Sequence, residues 1–134
     1  MLSLSEENYL KCIYHLSKDG EEEEVSTNAI AEYLKTRPAS VTDMIRKLDK
    51  KGVIIYKKYQ GVSLSPKGLA EALYVVRKHR LWEVFLVEKL KFHWDEVHEV
   101  AEQLEHIKSS LLIERLDKFL GSPQYDPHGY PIPD

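Results

Sequence analysis

The segment TNAIAEYLKTRPASVTDMIRKLDKKGVIIYKKYQGVSLSP, residues 27–66, decides the fold of the N-terminal half of the chain. Ser26 or Thr27 can cap a short helix, and after a brief turn Pro38 takes the first position of a second helix. Apolar residues then recur at helical spacing up to Gly52. The segment therefore predicts two helices joined by a tight turn.

The period of the pattern changes after this second helix. Residues 53–56 and 62–64 are rich in β-branched side chains and flank Gln60-Gly61, which predicts two short strands around a turn. A β-hairpin that follows a helix-turn-helix forms the wing of a winged helix-turn-helix, whose second helix enters the major groove of DNA. The segment therefore has the parts of a DNA-binding unit.

The distribution of charge agrees with this interpretation, although the net charge of the chain is −3. Residues 1–34 carry 2 basic and 8 acidic side chains, residues 35–67 carry 9 and 2, and residues 68–134 carry 8 and 12. The net charges are therefore −6, +7 and −4. The positive charge lies where a polyanion would bind, and the acidic tract 21–24 is expected to be a solvated loop.

The second helix and the hairpin carry side chains suited to DNA. Small and hydroxyl side chains at the start of the helix allow close approach to base edges, and Arg37 can make a bidentate contact with guanine or phosphate. The predicted contact residues are Arg37, Pro38, Ala39, Ser40, Thr42, Arg46, Lys47, Lys50, Lys57 and Lys58. The alternative is a solvated basic helix in a helical protein that has a surface hairpin.

The rest of the chain is predicted to be helical. Together with the segment above, the pattern predicts helices at about 5–18, 26–34, 38–51, 66–90, 95–107 and 109–120. The fold class is thus mainly α with a small β-hairpin. We expect a winged helix-turn-helix domain over residues 1–66 and a helical dimerisation and metal-binding domain over residues 67–134.

Two of the predicted helices carry imidazole and carboxylate side chains at helical spacing. His79 and Glu83 are an i, i+4 pair on the long helix, and four more lie within roughly a 100° arc of the helix at 95–107. Those four are His98, Glu102, Glu105 and His106. Nitrogen and oxygen ligands suit Mn(II) or Fe(II), while Zn(II), Co(II) or Ni(II) can also bind in vitro. The alternative is a solvated helix face. His15, His93 and His128 are left unassigned.

Composition limits the class of protein. No run approaches the roughly 18 apolar residues of a membrane helix, and the N-terminus lacks the pattern of a signal peptide, so we expect a cytoplasmic protein without membrane contact. The single cysteine, Cys12, excludes an internal disulfide and is expected to be structural. No nucleophile motif or glycine-rich loop is apparent, which argues against an enzyme.

The chain resembles the diphtheria toxin repressor family, whose other well-known branch is the manganese transport regulators. The resemblance rests on SEENYLKCIYHL, RPASVTDMIRKLDKKGVI, LSPKGLAEA, RKHRLWEVFL, HEVAEQLEH and PIPD, which occur in this order. It implies a homodimeric, metal-activated repressor that binds a palindromic operator and controls genes for metal uptake. The longer members continue past PIPD into an SH3-like domain, from which we expect no ligands here.

The resemblance also divides the candidate ligands. It implies an ancillary site of His79, Glu83 and His98, and a primary site of Glu102, Glu105 and His106 that position 8 completes. Glu102 stands where the iron branch has cysteine, which favours Mn(II) over Fe(II). Here position 8 is Asn8, which offers one carbonyl oxygen, and position 11 is Lys11 instead of a second carboxylate. Two separate sites are therefore expected, not one binuclear cluster. Arg80 matches an anion-binding residue, although Tyr130 departs from that pattern.

In the mechanism that the resemblance suggests, a metal held by Asn8 and the primary ligands sets the spacing of the two recognition helices in the dimer. Two other functions stay open from the sequence. One is a winged-helix regulator that does not respond to metal, and the other is a metal-dependent hydrolase.

Overall fold

The computed structural model describes residues 2–19 and 24–134 and divides the chain into two compact units. The first unit is Met1–Ala72 and the second is Leu73–Asp134. The sequence placed the division at residues 66 and 67, at the start of the long helix. In the structure the division falls six residues later, inside that helix.

The secondary structure is mainly helical with one hairpin, as predicted. The elements are α1 (Leu4–Leu16), α2 (Thr27–Leu34), α3 (Pro38–Lys50), β1 (Ile54–Lys57), β2 (Gly61–Leu64), α4 (Pro66–Glu88), α5 (His98–Leu104) and α6 (Ser110–Phe119). The two strands pair in antiparallel register from Ile54 opposite Leu64 to Lys57 opposite Gly61. The helix-turn-helix and the hairpin follow the predicted order.

Side-chain caps explain where the first helices begin. Ser3 caps α1, and it forms a reciprocal capping box with Glu6. Ser26 caps α2 through the backbone N–H of Ala29, at 3.0 Å. In contrast, α3 has no side-chain cap and begins with Pro38, whose fixed φ and missing N–H suit the first helical position.

The core of the first unit forms around α3. Val41, Ile45 and Leu48 lie on one face of α3 and are buried, as the sequence predicted. α2 packs against α1 and α3, while α3 contacts β1 and α1 contacts β2. This packing leaves the polar face of α3 on the surface.

The hairpin is anchored near its turn and at its base. Val25 pairs with Val62 through two backbone hydrogen bonds of 2.8 Å, which extends the two-stranded sheet by an isolated bridge. At the base, the first turn of α4 lies so close to the hairpin that a Cβ added to Gly68 would be 1.8 Å from the carbonyl oxygen of Val53. Only glycine fits this approach.

The core of the second unit is formed by α4, α5, α6 and the C-terminal segment. Its buried residues are Leu81, Trp82, Val84, Ala101, Ile113, Leu116 and Ile132. The final segment is irregular, as predicted, yet it folds back: Tyr125 pairs with Pro131, and Ile132 is buried. Residues 123–134 are therefore part of the folded unit.

The helix predicted at 95–107 is shorter in the structure, where α5 spans His98–Leu104. The residues before it form a separate turn, because the side chain of Glu96 accepts the backbone N–H of His93 at 2.8 Å and Asp95 contacts the His93 ring at 2.6 Å. Such local side-chain bonds compete with helix formation. Trp94, which lies in this turn, is 57% exposed.

None of the described helices combines the length and apolar composition that crossing a bilayer requires. Of the acidic tract 21–24, only Glu24 lies among the described residues, where it is partly exposed, and residues 21–23 lie outside them.

Candidate metal centre and nucleic-acid interface

The carboxylate of Glu83 is the centre of a cluster of imidazoles and carboxylates in the second unit. Glu83 lies on α4, is 2% exposed and is one helical turn from His79. Its Oε2 atom lies 3.3 Å from Nε2 of His79 and 3.9 Å from Nδ1 of His98. The ligand atoms of these three residues all lie within 4.8 Å of one another. The structure therefore brings the predicted ancillary set together.

The histidine at position 79 also contacts one of the predicted primary ligands. Its Nδ1 lies 2.6 Å from Oε1 of Glu105, which is fully buried. Because a carboxylate oxygen can only accept, the Nδ1–H of His79 donates to Glu105, and Nε2 is directed toward Glu83. A carboxylate that orients a histidine in this way is the usual support for a metal-ligating imidazole.

The other predicted primary ligands are more dispersed. Nε2 of His106 lies 3.6 Å from Oε2 of Glu105, and Nε2 of His98 lies 3.5 Å from Oε1 of Glu102. Glu102 is half-exposed, whereas His106 is largely buried. Among the described residues, Glu102, Glu105 and His106 do not form a group with ligand atoms within 4.8 Å. The six residues instead form a connected chain of contacts.

Two residues of the C-terminal segment join Glu83 and were not predicted from the sequence. Nδ1 of His128 lies 3.6 Å from Oε2 of Glu83 and 3.9 Å from Oδ2 of Asp126. These three residues form a second group within 4.8 Å. The DPHG turn shows no periodicity that would mark it. The available signal is an aspartate and a histidine on either side of Pro127, followed by Gly129.

The surroundings of His128 and Asp126 hold both side chains in place. Nε2 of His128 lies 2.7 Å from the carbonyl oxygen of Trp94, so Nε2 carries a proton and Nδ1 faces Glu83. Oδ1 of Asp126 accepts the backbone N–H groups of His128 at 3.0 Å and Tyr130 at 2.8 Å. Its other oxygen is thereby directed toward the cluster.

Burial and crowding of the carboxylates move their pKa values in opposite directions. Burial raises the pKa of Glu83, but hydrogen bonds from His79 and Asp126 and the charges of His79 and His128 outweigh it, so the net pKa is below the ordinary range. The pKa of Asp126 is raised by burial and by its hydrogen bond and charge interaction with Glu83. The pKa values of the two neighbouring carboxyl groups are therefore shifted apart.

This donor set fits a divalent cation. His79 and His128 each present one ring nitrogen to the same carboxylate, while their other nitrogen donates to an oxygen. The Glu83 carboxylate oxygen lies 3.3 Å from the facing ring nitrogen of His79 and 3.6 Å from that of His128. Each of these nitrogens requires a proton or a cation between it and the oxygen. The described part of the cluster contains nitrogen and oxygen donors without a thiolate, a set typical of Mn(II) and Fe(II) sites.

Three more residues singled out in the sequence lie outside this cluster. Arg80 is buried, donates to the carbonyl oxygen of Pro131 at 2.5 Å and lies 5.5 Å from the ring centroid of Tyr130. Anion binding by Arg80 stays a prediction. Asn8 belongs to the first unit, where it lines a cavity of about 350 Å³ with residues of α1, α2 and α3. Cys12 is fully buried, and burial raises the pKa of its thiol to about 12.

The predicted DNA contacts all lie on the surface of the first unit. They are Arg37, Pro38, Ala39, Ser40, Thr42, Arg46, Lys47, Lys50, Lys57 and Lys58, and each is exposed. The hydroxyl of Thr42 donates to the carbonyl oxygen of Pro38 at 3.1 Å. An exposed basic helix and a basic hairpin in one unit form a surface suited to a polyanion.

Two family models together match almost the whole chain. The model "Iron dependent repressor, N-terminal DNA binding domain" matches residues 1–62. The model "Iron dependent repressor, metal binding and dimerisation domain" matches residues 65–134. The exposed basic surface lies within the first match, and the Glu83 cluster lies within the second.

Individual relatives agree with these models. The chain is 37% identical over 138 residues to a probable metal transport system membrane protein of Chlamydia trachomatis, covering 99% of the chain and 30% of the relative. It is 35% identical over 127 residues to an iron-dependent repressor of Mycobacterium leprae, covering 95% of the chain and 54% of the relative.

A solved manganese-dependent transcriptional repressor in complex with manganese superposes with a TM-score of 0.86 at 42% identity. That match covers 96% of this chain and 58% of the other, so the chain spans little more than half of this repressor and of the mycobacterial one. The resemblance inferred from the sequence motifs is confirmed: the chain belongs to the iron-dependent repressor family, the family of the diphtheria toxin repressor and the manganese transport regulators.

Proposed function

We propose that this chain is a metal-activated transcriptional repressor that binds a palindromic operator as a homodimer and controls genes for metal uptake. The observation that carries the proposal is the convergence of buried imidazoles and carboxylates on Glu83, in a chain whose first unit has an exposed basic helix and hairpin. The family models describe a DNA-binding domain and a metal-binding and dimerisation domain. These descriptions support DNA and a second copy of the chain as binding partners.

The ligand chemistry favours Mn(II) over Fe(II). Glu102 supplies a carboxylate where the iron branch has a cysteine, and Asp126 adds another beside Glu83. The thiol of Cys12 is fully buried with a pKa raised to about 12, so it is protonated at neutral pH. Carboxylate and imidazole ligands without a thiolate suit Mn(II), and a bound cation supplies the charge that offsets the crowded carboxylates.

Glu83 belongs to two groups of candidate ligands, and matched variants distinguish them. One group adds His79 and His98, and the other adds Asp126 and His128. His128 is more buried than His98, and the hydrogen bond to Trp94 already orients it, so we expect the second group to bind more tightly. His128→Ala should then weaken Mn(II) binding more than His98→Ala in calorimetric titrations. The reverse order would assign the tighter site to His98.

The primary site stays a prediction from the family resemblance. Glu105 is buried and contacts both His79 and His106, so it can link the two predicted sites. Participation of Asn8 is tested by Asn8→Ala, which should lower the affinity for Mn(II), and by Asn8→Asp, which should raise it by adding charge. Equal affinities in all three proteins would remove Asn8 from the ligand set.

One set of measurements separates the proposed function from its alternatives. Mn(II), Fe(II) and Zn(II) are titrated calorimetrically, and binding to a duplex enriched from a random-sequence library is then measured with and without each metal. Hydrolysis of simple esters is assayed with each metal. A metal-activated repressor binds metal and gains DNA affinity from it. A metal-independent regulator binds the duplex equally in both conditions, and a metal-dependent hydrolase cleaves simple esters.

A further inference from the structure

The tip of the hairpin carries an exposed tyrosine in an unfavourable backbone conformation. Tyr59 is 93% exposed, and its φ of 66° lies in the left-handed region. Residues other than glycine, asparagine and aspartate rarely adopt this backbone conformation. Hairpin loops usually place one of those three residues at such a position. Within its own unit, the ring gains little packing in return for this strain.

The position of this residue is fixed by the structure beneath it. Gln60 N–H donates to the carbonyl oxygen of Lys57 at 2.9 Å, which closes the turn. At the turn end of β2, a Cβ added to Gly61 would lie 2.8 Å from the carbonyl oxygen of Val25, so the strand is packed closely against that segment. The tip therefore projects from an anchored hairpin.

The chemistry around the ring is cationic. Lys57 and Lys58 precede Tyr59 and are exposed, and Nζ of Lys58 lies 5.2 Å from the centroid of the tyrosine ring. An aromatic face next to ammonium groups matches a surface that alternates apolar sugars with anionic phosphates. The same unit carries the exposed basic face of α3. A polyanion attracts both groups of positive charge, whereas a basic surface would repel these lysines and a neutral surface would not attract them.

We propose that Tyr59 contacts the sugar-phosphate backbone of DNA, with its ring packed on a deoxyribose and its hydroxyl donating to a phosphate. Lys57 and Lys58 bind the flanking phosphates. This inference rests on the proposed function and adds an uncharged side chain to the predicted DNA contacts. Because the contact involves no base edge, Tyr59 raises affinity without selecting sequence.

The test compares variants on a duplex that the wild-type chain enriches, with Mn(II), from a random-sequence library. Tyr59→Gly removes the ring and relieves the strained backbone, so DNA affinity should fall about tenfold while the melting temperature is unchanged or higher. The slope of affinity against salt should stay the same, because no charge is lost. Tyr59→Phe should lose less DNA affinity than Tyr59→Gly, since it keeps the aromatic ring.

Two control variants complete the experiment. Ser122→Gly relieves a similar left-handed position, with φ of 52°, in the second unit and should leave DNA affinity unchanged. Lys58→Ala should lower the salt slope by about one, unlike Tyr59→Gly. If the duplex binds Tyr59→Gly as tightly as wild type, or if its loss of affinity accompanies a lower melting temperature, this inference is overturned. A wild-type chain that enriches no duplex overturns the proposed function as well.

Discussion

The two units hold their functional side chains in opposite ways. In the first unit every predicted DNA contact is exposed to solvent, whereas in the second unit Glu83 and Glu105 are buried and bonded to histidines. A surface for a long polyanion needs charge but little internal support. A site for a small cation needs ligands that their neighbours hold in place. A single substitution of a ligand in the second unit should therefore cause a large loss of metal affinity. Substitutions of exposed basic residues in the first unit should each cause a small loss of DNA affinity.

The largest effect is expected at the shared carboxylate. Glu83→Gln keeps the size of the side chain but removes the charge that His79 and His128 face, so Mn(II) affinity should fall by at least about 100-fold in calorimetric titrations. Glu88→Gln, at the exposed end of the same helix, is the matched control and should bind metal normally. Equal metal affinity in the two variants would show that the buried cluster is not the site.

A smaller, graded effect is expected on the basic surface. Arg37→Ala combined with Lys47→Ala removes two exposed positive charges that we expect to bind phosphates, so DNA affinity should fall about 30-fold and the salt slope by about two. The control is Lys91→Ala with Lys118→Ala, two exposed lysines of the second unit. The assignment of α3 fails if fluorescence anisotropy shows the same affinity and salt dependence for both double variants.

One ion pair in the first unit, between buried Glu6 and partly exposed Lys51, predicts a dependence of stability on pH. Burial raises the pKa of Glu6, but hydrogen bonds from Lys51 and Ser3 outweigh it and lower the pKa from 4.5 to about 2. A depressed pKa stabilises the fold above the unfolded value, so this contribution is present above pH 4.5 and is lost as the pH falls toward 2.

The Glu6–Lys51 pair should contribute about 1 to 2 kcal/mol to the free energy of unfolding, because Lys51 is partly exposed and solvent screens the pair. Urea unfolding of wild type and Glu6→Gln between pH 7 and pH 3 measures it. The difference in unfolding free energy between the two proteins should shrink as the pH falls. A constant difference would contradict the role of the Lys51 pair, and Glu32→Gln on exposed α2 serves as the control.

The smallest effect is expected at the thiol. Cys12 is fully buried in the first unit with its pKa raised to about 12, so Cys12→Ala should lower the unfolding free energy by about 1 kcal/mol and leave Mn(II) affinity unchanged. Chemical unfolding and metal titration of the same sample check both parts. Altered metal affinity would make Cys12 a ligand instead.

Periodicity and turn chemistry predicted most of the fold. The capping by Ser26, the proline at the start of α3 and the hairpin around Gln60-Gly61 are local signals, and the structure follows them. The start of α5 could not be predicted in this way, because the bonds of Glu96 and Asp95 with His93 form a competing turn.

The candidate site was only partly predictable for a related reason. The i, i+4 spacing of His79 and Glu83 is visible in the sequence because both lie on one helix. Asp126 and His128 reach Glu83 only because the C-terminal segment folds back, and no local pattern records such a long-range contact. The His79–Glu105 contact is equally non-local, since it joins α4 to the end of α5.

The most direct test of the account measures DNA binding with and without Mn(II) for wild type and Glu105→Gln, with the dimer monitored by sedimentation. Mn(II) should raise the DNA affinity of wild type at least about tenfold, a coupling free energy of about 1.4 kcal/mol. Glu105→Gln should show no stimulation, while it stays dimeric and keeps its metal-free DNA affinity. Stimulation of Glu105→Gln equal to that of wild type would contradict the claim that the buried ligands of the second unit control the DNA-binding surface of the first.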